Sequence, residues 1–201
     1  MVDLYKYSKK NKIYSFLIKN ILGVKTDILN KSFFYSDNVD LHINEEFFYD
    51  YMKKYPITKW GGSENQREHY QSNHDLNRLN VLNKPIKQIE EILNIQIKKK
   101  ILGINGIGKF RVKSLWYTIQ KKNEGHSKHN HPKSILSGVY YHAIEENRGG
   151  ELEIYTQKNN VIHRPKKNDL IIFHSDIYHS VKPYYGNSDR IAVAWDAIYT
   201  F

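Results

Sequence analysis

The 201-residue sequence contains no cysteine, only two methionines and only five prolines. Without cysteine the chain can form neither a disulfide nor a thiolate metal site, so a bound metal must rely on histidine, aspartate or glutamate. No apolar run approaches the about 18 residues that a membrane-spanning helix needs. The start of the sequence, Met1 to Lys6, lacks the basic and then apolar layout of a secretory signal. We therefore expect a cytoplasmic protein without a membrane-spanning segment.

Acidic residues are in the minority, because 31 lysines and arginines face 21 aspartates and glutamates and the net charge is +10. Such a charge raises the question of a nucleic-acid partner. The lysines form scattered small groups, however, and not one dense stripe that could follow a phosphate backbone. These groups are Lys9-Lys10, Lys53-Lys54, Lys98-Lys99-Lys100, Lys121-Lys122 and Lys166-Lys167. A nucleic-acid interface is therefore not favoured, and an acidic small molecule would benefit from the same positive field.

The composition is that of one folded domain. Hydrophobic residues make up 40% of the chain and charged residues 26%, a balance typical of globular proteins. The length suits a single domain over residues 1–201. The pattern changes near residue 105, which predicts a helical and irregular covering region over 1–104 and a β core over 105–201.

Three segments of the first half have helical periodicity. Residues 10–22 carry one apolar stripe, and residues 44–51 have Asn44 as a candidate N-cap. Residues 83–101 give the strongest helix prediction, because Pro85 suits a first turn and Lys98 to Lys100 suit a helix C-terminus. Between them, residues 60–73 are polar and form a candidate lid over a site.

Five segments of the second half are short and rich in β-branched and aromatic residues, which predicts strands. Turn-forming residues separate these segments, and no internal repeat is present. The predicted strands are 113–120, 135–143, 151–156, 169–174 and 190–199. Such a series favours a barrel or jelly roll, so we expect a mainly β, α+β fold with the N-terminal helices packed on one sheet.

The segment His129-Asn130-His131-Pro132 is the strongest chemical signal in the sequence. On an extended strand, residues i and i+2 point to the same face and lie roughly 6.5–7 Å apart, so both imidazoles can reach one metal ion. His179 offers a third imidazole from a later strand. Neutral imidazoles suit iron and other first-row metals. His126 and His174 are rival ligands with less suitable spacing or position.

Arg190 opens the last predicted strand, eleven residues after His179. A guanidinium inside an apolar barrel is costly without an anionic partner, and its planar fork suits a carboxylate. The alternative for this arginine is an ordinary surface ion pair. Together with the histidines, it predicts a metal centre with an anchored acidic co-substrate.

At these residues the chain resembles the iron(II)/2-oxoglutarate-dependent dioxygenase superfamily, and within it the oxygenase branch with a His-X-His-Pro motif. The similar stretches occur in the family's order over residues 114–195, whereas the first hundred residues match only loosely. They are Ser114 to Tyr117, His129 to Pro132, Ser137 to Tyr141, Gly149 to Leu152, Asn168 to Phe173, His179 to Pro183 and Arg190 to Val193.

The resemblance implies a double-stranded β-helix that holds iron(II) and 2-oxoglutarate and hydroxylates a substrate with release of succinate and CO2. It assigns His129 and His179 to the metal, and Arg190 and Tyr141 to the far carboxylate of 2-oxoglutarate. Further cofactor-binding candidates are Ser137, on the strand of Tyr141, and Tyr117, on the preceding strand. Trp195 and Tyr140 are candidates for the substrate pocket, although core packing is the commoner role of buried aromatic residues.

One position departs from the family. Most members have aspartate or glutamate where this chain has His131, so the third ligand stays open between His131, Glu151, Glu153 and water. We favour His131, because the i, i+2 spacing already directs its side chain inward.

Other functions compete with this interpretation. A cupin-type dioxygenase would use three histidines without 2-oxoglutarate, and it would have no particular need for Arg190. A basic nucleic-acid-binding protein would show salt-dependent binding and no metal dependence. A barrel that binds metal but has lost catalysis is a further alternative. The substrate, a small molecule or a peptide, and the oligomeric state cannot be derived from the sequence.

Overall fold

The computed structural model describes residues 34–56, 69–101, 105, 107–156 and 160–201. The predicted helix over 10–22 and the candidate lid up to residue 68 lie outside these residues. Within the described ranges, no helix is long and apolar enough to cross a membrane.

Within these described ranges, ten strands form two antiparallel sheets. They are β1 (Phe34–Asn38), β2 (Tyr70–Gln71), β3 (Lys109–Gln120), β4 (His126–His129), β5 (Leu136–Ala143), β6 (Leu152–Tyr155), β7 (Asn160–His163), β8 (Asp169–His174), β9 (Tyr178–Val181) and β10 (Arg190–Thr200). The larger sheet has the order β1-β8-β5-β10-β3-β2, and the smaller sheet has the order β4-β9-β6-β7. The two facing sheets form a jelly roll, so the predicted double-stranded β-helix is confirmed.

In the described part of the chain, two α-helices precede the long strands, with two short 3-10 helices, Leu76–Arg78 and Asn80–Leu82, between them. The first, α1 (Glu45–Lys54), begins as predicted, because the side-chain oxygen of Asn44 accepts a hydrogen bond from the backbone N–H of Glu46 at 3.0 Å. The second, α2 (Asn83–Ile92), continues as a π-helix over Leu93–Ile101. At this change the Asn94 amide donates to the backbone carbonyls of Glu90 and Phe110. The side chain thereby competes for a helical carbonyl and ties the helix to β3.

The helices cover one face of the larger sheet, here called the helix-side face. Side chains that alternate along β3, β5 and β10 point to this face and join the main hydrophobic core with residues of α1 and α2. Members of this core include Phe48, Ile89, Tyr117, Tyr140, Ile191, Val193 and Trp195. The opposite face, here called the cavity face, looks toward the smaller sheet.

Five strands lie outside the five ranges predicted from the sequence. Two of them, β4 and β9, carry His129 and His179, which were expected on strands without stated bounds, and the other three were not expected. β1 and β2 lie in the region that was expected to be helical and irregular, and β7 follows a turn signal. β1 pairs only with β8, β2 only with β3, and β7 only with β6. Each is a short strand at the edge of a sheet, and its conformation depends on a partner that is distant in sequence or across a turn.

Candidate metal centre

A cavity of about 60 Å³ lies between the two sheets. Residues of the cavity face line one side, and residues of the smaller sheet line the other. The larger sheet contributes Trp116, Thr118, Gln120, Ser137, Val139, Tyr141, Arg190, Ala192 and Ala194, and the smaller sheet contributes His126, His129, Leu152, His179 and Val181. The lining is mostly apolar, with histidines and one arginine as its chemically active groups.

The three histidines predicted as ligands come together at this cavity. His129 ends β4 and is paired in register with His179 of β9, while His131 lies two residues beyond the strand. One nitrogen from each imidazole lies within 4.8 Å of the other two. Within the described part of the chain, this is the group of side chains able to hold a metal ion.

The Nδ1 atoms of these histidines face oxygen atoms. His129 Nδ1 lies 2.8 Å from the carbonyl oxygen of Ser127, and His179 Nδ1 lies 3.1 Å from that of Ile177. A carbonyl oxygen only accepts hydrogen bonds, so in both residues Nδ1 carries the proton and the Nε2 lone pair is left for a metal. His131 Nδ1 lies 3.5 Å from a carboxylate oxygen of Asp196. An oxygen atom of the protein thus lies beside the Nδ1 atom of each of the three rings.

Burial keeps the imidazoles in the form that binds metals. Removal from water lowers the pKa of His179 to about 3, and the neighbouring His129 adds to this effect. The pKa of His129 is also lowered, chiefly by burial. Because the neutral imidazole is the metal ligand, both groups are ready to bind at neutral pH.

The two glutamates considered as the third ligand are not part of this group. The Glu153 carboxylate lies on the outer face of β6, where it accepts hydrogen bonds from Tyr155 and Asn160. Its neighbours Leu152 and Ile154 are the buried residues of that strand. Of the candidates in the described residues, only His131 stands beside His129 and His179.

Arg190 lies on the cavity face and is only 1% exposed. Its Nη1 donates a hydrogen bond to the Oε1 atom of Gln120, and its guanidinium carbon lies 5.0 Å from the centre of the Tyr141 ring. Within the described residues, neither Arg190 Nε nor the Tyr141 hydroxyl has a hydrogen-bond partner of good geometry, although the two buried side chains interact electrostatically with each other. Burial lowers the pKa of Arg190 and raises the pKa of Tyr141 to about 12, so the phenol stays a donor. Unsatisfied donors of this kind fit an anion.

A tight turn supports the arginine from behind. Gly149 and Gly150 both have positive φ, and a Cβ at Gly150 would lie 3.1 Å from the Cδ and Nε atoms of Arg190. Glycine satisfies both demands, since it adopts this conformation freely and has no side chain to displace the guanidinium.

Ser137 has a different contact from the one expected. It lies on the cavity face, but its hydroxyl donates a hydrogen bond of 2.6 Å to Oδ1 of Asp196. Its role in binding 2-oxoglutarate stays a prediction, and the structure adds Asp196 as its hydrogen-bond partner. Asp196 was not predicted from the sequence, because it stands among the apolar residues of β10 with no motif around it.

Tyr117 and Tyr140 lie on the helix-side face, away from the cavity. The Tyr117 hydroxyl donates to the carbonyl of Phe48 at 2.6 Å, and the Tyr140 hydroxyl donates to the side chain of Asn168 at 2.8 Å. This corrects the expectation that Tyr117 contacts the cofactor and Tyr140 the substrate. In each strand the residues that face the cavity are the direct neighbours of the predicted one. They are Trp116 and Thr118 on β3, and Tyr141 on β5.

Trp195 borders the cavity, but its side chain belongs to the main core. The indole lies across Gly138, whose missing Cβ would be 2.1 Å from the Trp195 ring. The position therefore supports the alternative of core packing.

Further aromatic groups extend the histidine cluster. His126 lines the cavity and stacks on His129 with ring centres 4.3 Å apart, although it was only a rival ligand in the sequence. The ring centres of Trp116 and His131 lie 5.5 Å apart, and His74 stacks on the Trp116 ring with 4.3 Å between ring centres. His174, the other rival, is absent from the cavity lining.

Comparisons with known proteins agree with this geometry. Residues 114–163 match the model of a family described as 2OG-Fe(II) oxygenase. This segment includes His129, His131, Ser137 and Tyr141, and it confirms the resemblance seen in the sequence. No curated protein matches the chain.

Solved structures with this fold include three prolyl hydroxylases. The prolyl-4-hydroxylase of Pseudomonas putida is 14% identical, with a TM-score of 0.60 over 90% of this chain and 98% of its own. The viral collagen prolyl hydroxylase of Paramecium Bursaria Chlorella virus-1, in complex with 2OG, is 19% identical, with a TM-score of 0.61 over 85% and 99%. A Trichoplax adhaerens prolyl hydroxylase, bound to a hypoxia inducible factor peptide fragment, is 15% identical, with a TM-score of 0.57 over 94% of each chain. At these identities the likeness concerns the fold.

Proposed function

We propose that this protein is an oxygenase that depends on iron(II) and 2-oxoglutarate and hydroxylates a substrate with release of succinate and CO2. The observation that carries the proposal is one cavity in which three imidazoles lie together and a buried arginine and tyrosine have unsatisfied donors. The three imidazoles alone, or the arginine and tyrosine alone, would fit other functions. Their combination fits a metal and a dicarboxylate in one site.

In this proposal His129, His131 and His179 hold the iron through their Nε2 atoms. The oxygen acceptors behind the rings fix their orientation, so little reorganisation accompanies metal binding. Three ligands leave positions open for the co-substrate and oxygen. Because no ligand atom carries a formal negative charge, the metal would attract an anionic chelator more strongly than it would with a carboxylate ligand.

Arg190 and Tyr141 bind the far carboxylate of 2-oxoglutarate. The pairing removes the cost of the unsatisfied Arg190 Nε and Tyr141 hydroxyl, and both groups donate hydrogen bonds to an acceptor that carries charge. The Gln120 side chain and the turn at Gly150 keep the guanidinium in place before the anion arrives. The anchor therefore needs little rearrangement to bind its anion.

When bound, iron and 2-oxoglutarate would supply the oxidative decarboxylation of 2-oxoglutarate by O2, in which one oxygen atom enters succinate and the other enters a substrate C–H bond. The chain contributes a shielded cavity around this chemistry. Leu152, Phe173, Val181 and Ala192 give it apolar walls, which exclude water and strengthen the electrostatic contacts of Arg190.

The substrate in this proposal is a small molecule or a peptide. The fold neighbours include an enzyme bound to a peptide fragment, which supports a peptide as one class. We also propose a cytoplasmic location, because the absence of cysteine, and therefore of disulfides, fits a reducing compartment.

The first test is an anaerobic titration of the metal-free protein with iron(II) and then 2-oxoglutarate, followed by visible absorbance. We expect a metal-to-ligand charge-transfer band from the chelated 2-oxo acid. In Arg190→Ala the apparent Kd for 2-oxoglutarate rises roughly 30- to 3,000-fold, the cost of removing one partner of a buried charged hydrogen bond. Arg111→Ala, which alters an arginine half-exposed beside Glu90, leaves the titration unchanged.

Two results would contradict the proposal. Iron binding without the band would favour a cupin-type enzyme that uses three histidines and no 2-oxoglutarate. The absence of iron binding would favour the alternative of a basic nucleic-acid-binding protein. A binding assay at several salt concentrations would then test that alternative. Arg190→Lys serves as a second variant if Arg190→Ala does not fold.

A further inference from the structure

We infer that Asp196 is a positioning residue that holds His131 through its Nδ1 atom and gives this ligand the negative character that a carboxylate ligand would supply. The inference rests on the proposed function, since it takes His131 as a ligand of the iron. It concerns a residue that lies behind the metal site and does not touch the reacting atoms.

The contacts of Asp196 converge on His131. One carboxylate oxygen, Oδ2, lies 3.5 Å from His131 Nδ1. The other, Oδ1, accepts the 2.6 Å hydrogen bond from Ser137, and the Ser114 hydroxyl lies 3.5 Å from Oδ2. Asp196 is only 9% exposed, and these two hydroxyls come from the strands on either side of it. The carboxylate is therefore fixed from both sides with one oxygen toward the imidazole.

The local fold explains how a carboxylate enters this place. Asp196 stands between Trp195 and Ala197 in β10, and the register with β3 shifts between Asp196 and Ala197. The extra residue lies in β3, because Asp196 pairs with Ser114 and Ala197 with Val112. β10 itself keeps its alternation, so Asp196 shares the cavity face with Arg190 and Ala194. An ionised carboxylate among buried residues is costly unless it is paired, so its hydroxyl partners and the imidazole account for its presence.

The three proposed ligands differ in what lies behind them. His129 and His179 have neutral carbonyl oxygens at Nδ1, whereas His131 has a carboxylate. A carboxylate behind an imidazole draws its Nδ1 proton and makes the ring a stronger electron donor at Nε2. His131 also occupies the place where most related enzymes have an acidic ligand. The negative charge is thus kept in the site, one residue further from the metal.

The test compares Asp196→Asn and Asp196→Ala with the wild-type protein. Asp169→Asn is a matched control, because Asp169 Oδ2 lies 3.1 Å from His163 Nε2 in a second partly buried His–Asp pair outside the metal group. Iron(II) affinity is measured anaerobically by competition with a coloured chelator. The charge-transfer band is then recorded with saturating iron and 2-oxoglutarate, and thermal unfolding is measured for every variant.

We expect Asp196→Ala to weaken iron binding by about 10- to 100-fold, the range for the loss of a partner behind a metal ligand. Asp196→Asn keeps the shape of the side chain and loses its charge, so it should weaken binding less. In both variants the band moves to shorter wavelength, because a less electron-rich iron gives up an electron less readily. Asp169→Asn leaves both affinity and band position unchanged.

The band position separates this role from a merely structural one, since lower stability alone does not change the energy of the transition. Affinities within about twofold of wild type, with unshifted bands in both Asp196 variants, would overturn the inference and leave the proposed function intact. If the wild-type protein itself bound no iron, the proposed function would fail and the inference with it. Asp196→Asn carries the test alone if Asp196→Ala does not fold.

Discussion

The two faces of the larger sheet treat adjacent tyrosines in opposite ways. Tyr140 points to the helix-side face, where its hydroxyl is bonded to Asn168, whereas Tyr141 points to the cavity face, where its hydroxyl has no hydrogen-bond partner of good geometry in the described residues. Both are almost completely buried. On the helix-side face the Tyr140 hydroxyl is satisfied by another side chain of the protein. On the cavity face the Tyr141 hydroxyl is left to bind a ligand.

Arg190 shows the same contrast on the next strand. The guanidinium is buried on the cavity face with Nε unpaired, while its sequence neighbour Ile191 joins the main core. The contrast is not complete, because Trp195 on the helix-side face also has an unpaired Nε1. What distinguishes the cavity face is that its unpaired donors stand together and share one cavity with the three histidines.

The largest expected effect follows from removing a ligand on the cavity face. His179→Ala should lower iron(II) affinity by more than the about 100-fold upper range for groups behind a ligand, and the charge-transfer band should disappear. His142→Ala is the matched control, because His142 is a buried histidine on the helix-side face near Phe48. Chelator competition measures both. Equal losses in the two variants would show that the faces are not functionally distinct.

Gly138→Ala tests the helix-side face in turn. The new methyl group would meet the Trp195 ring at 2.1 Å and the carbonyl oxygen of Ile171 at 2.7 Å. Overpacking of this kind lowers the free energy of unfolding by about 1–3 kcal/mol. Urea denaturation measures the loss, and iron binding at saturating metal should persist. A variant as stable as the wild type would mean that the indole is free to move.

The same substitution at Tyr141 and at Tyr140 should have opposite effects on 2-oxoglutarate binding and on stability. Tyr141→Phe should raise the Kd for 2-oxoglutarate about tenfold, since it removes a hydrogen bond to a charged group, and it should cost almost no stability. Tyr140→Phe should cost about 1 kcal/mol of unfolding free energy, because it leaves Asn168 without its donor, and it should not change the Kd. The charge-transfer titration and urea denaturation distinguish them. The same response from both would remove the contrast.

The smallest effect concerns the stability of the empty anion site. Arg190→Met replaces a buried charge with an apolar chain of similar length, and we expect the ligand-free protein to gain about 1 kcal/mol of unfolding free energy. Saturating iron and 2-oxoglutarate should reverse the order, because only the wild type gains stability from tight binding of the dicarboxylate. Thermal unfolding with and without both ligands measures this. A variant less stable in both conditions would show that the arginine is structural.

The sequence predicted the long strands and the three histidines for a simple physical reason. β-branched and aromatic runs between turns mark buried strands, and the i, i+2 spacing places His129 and His131 on one face whatever surrounds them. The N-cap at Asn44 was equally local and is confirmed. The strands, the N-cap and the His129–His131 pair needed no knowledge of distant contacts. His179, which meets His129 through the pairing of β9 with β4, was predicted from the later strand and the resemblance.

The choice between the two faces could not be made in the same way. β5 is buried on both sides, so its pattern is nearly continuous and does not tell which tyrosine meets the cavity. Residues 115–120 of β3 are likewise all buried. For this reason the sequence did not show which face Tyr117 and Tyr140 occupy. Asp196 was missed because β10 is buried on both faces over most of its length, so its pattern does not show which residues share a face with Arg190. The short edge strands β1 and β2 likewise exist only through their partners.

The turn at Gly149 and Gly150 has a consequence for how this site can change over time. Its backbone lies directly against the Arg190 side chain, so nothing larger than a hydrogen atom fits at position 150 without moving the guanidinium. A loop on a protein surface usually tolerates variation, but here the variation would be transmitted to the anion. In the proposed function, a residue with no side chain therefore helps to fix the position of the arginine that binds the dicarboxylate, and with it the length of the acid that the site accepts.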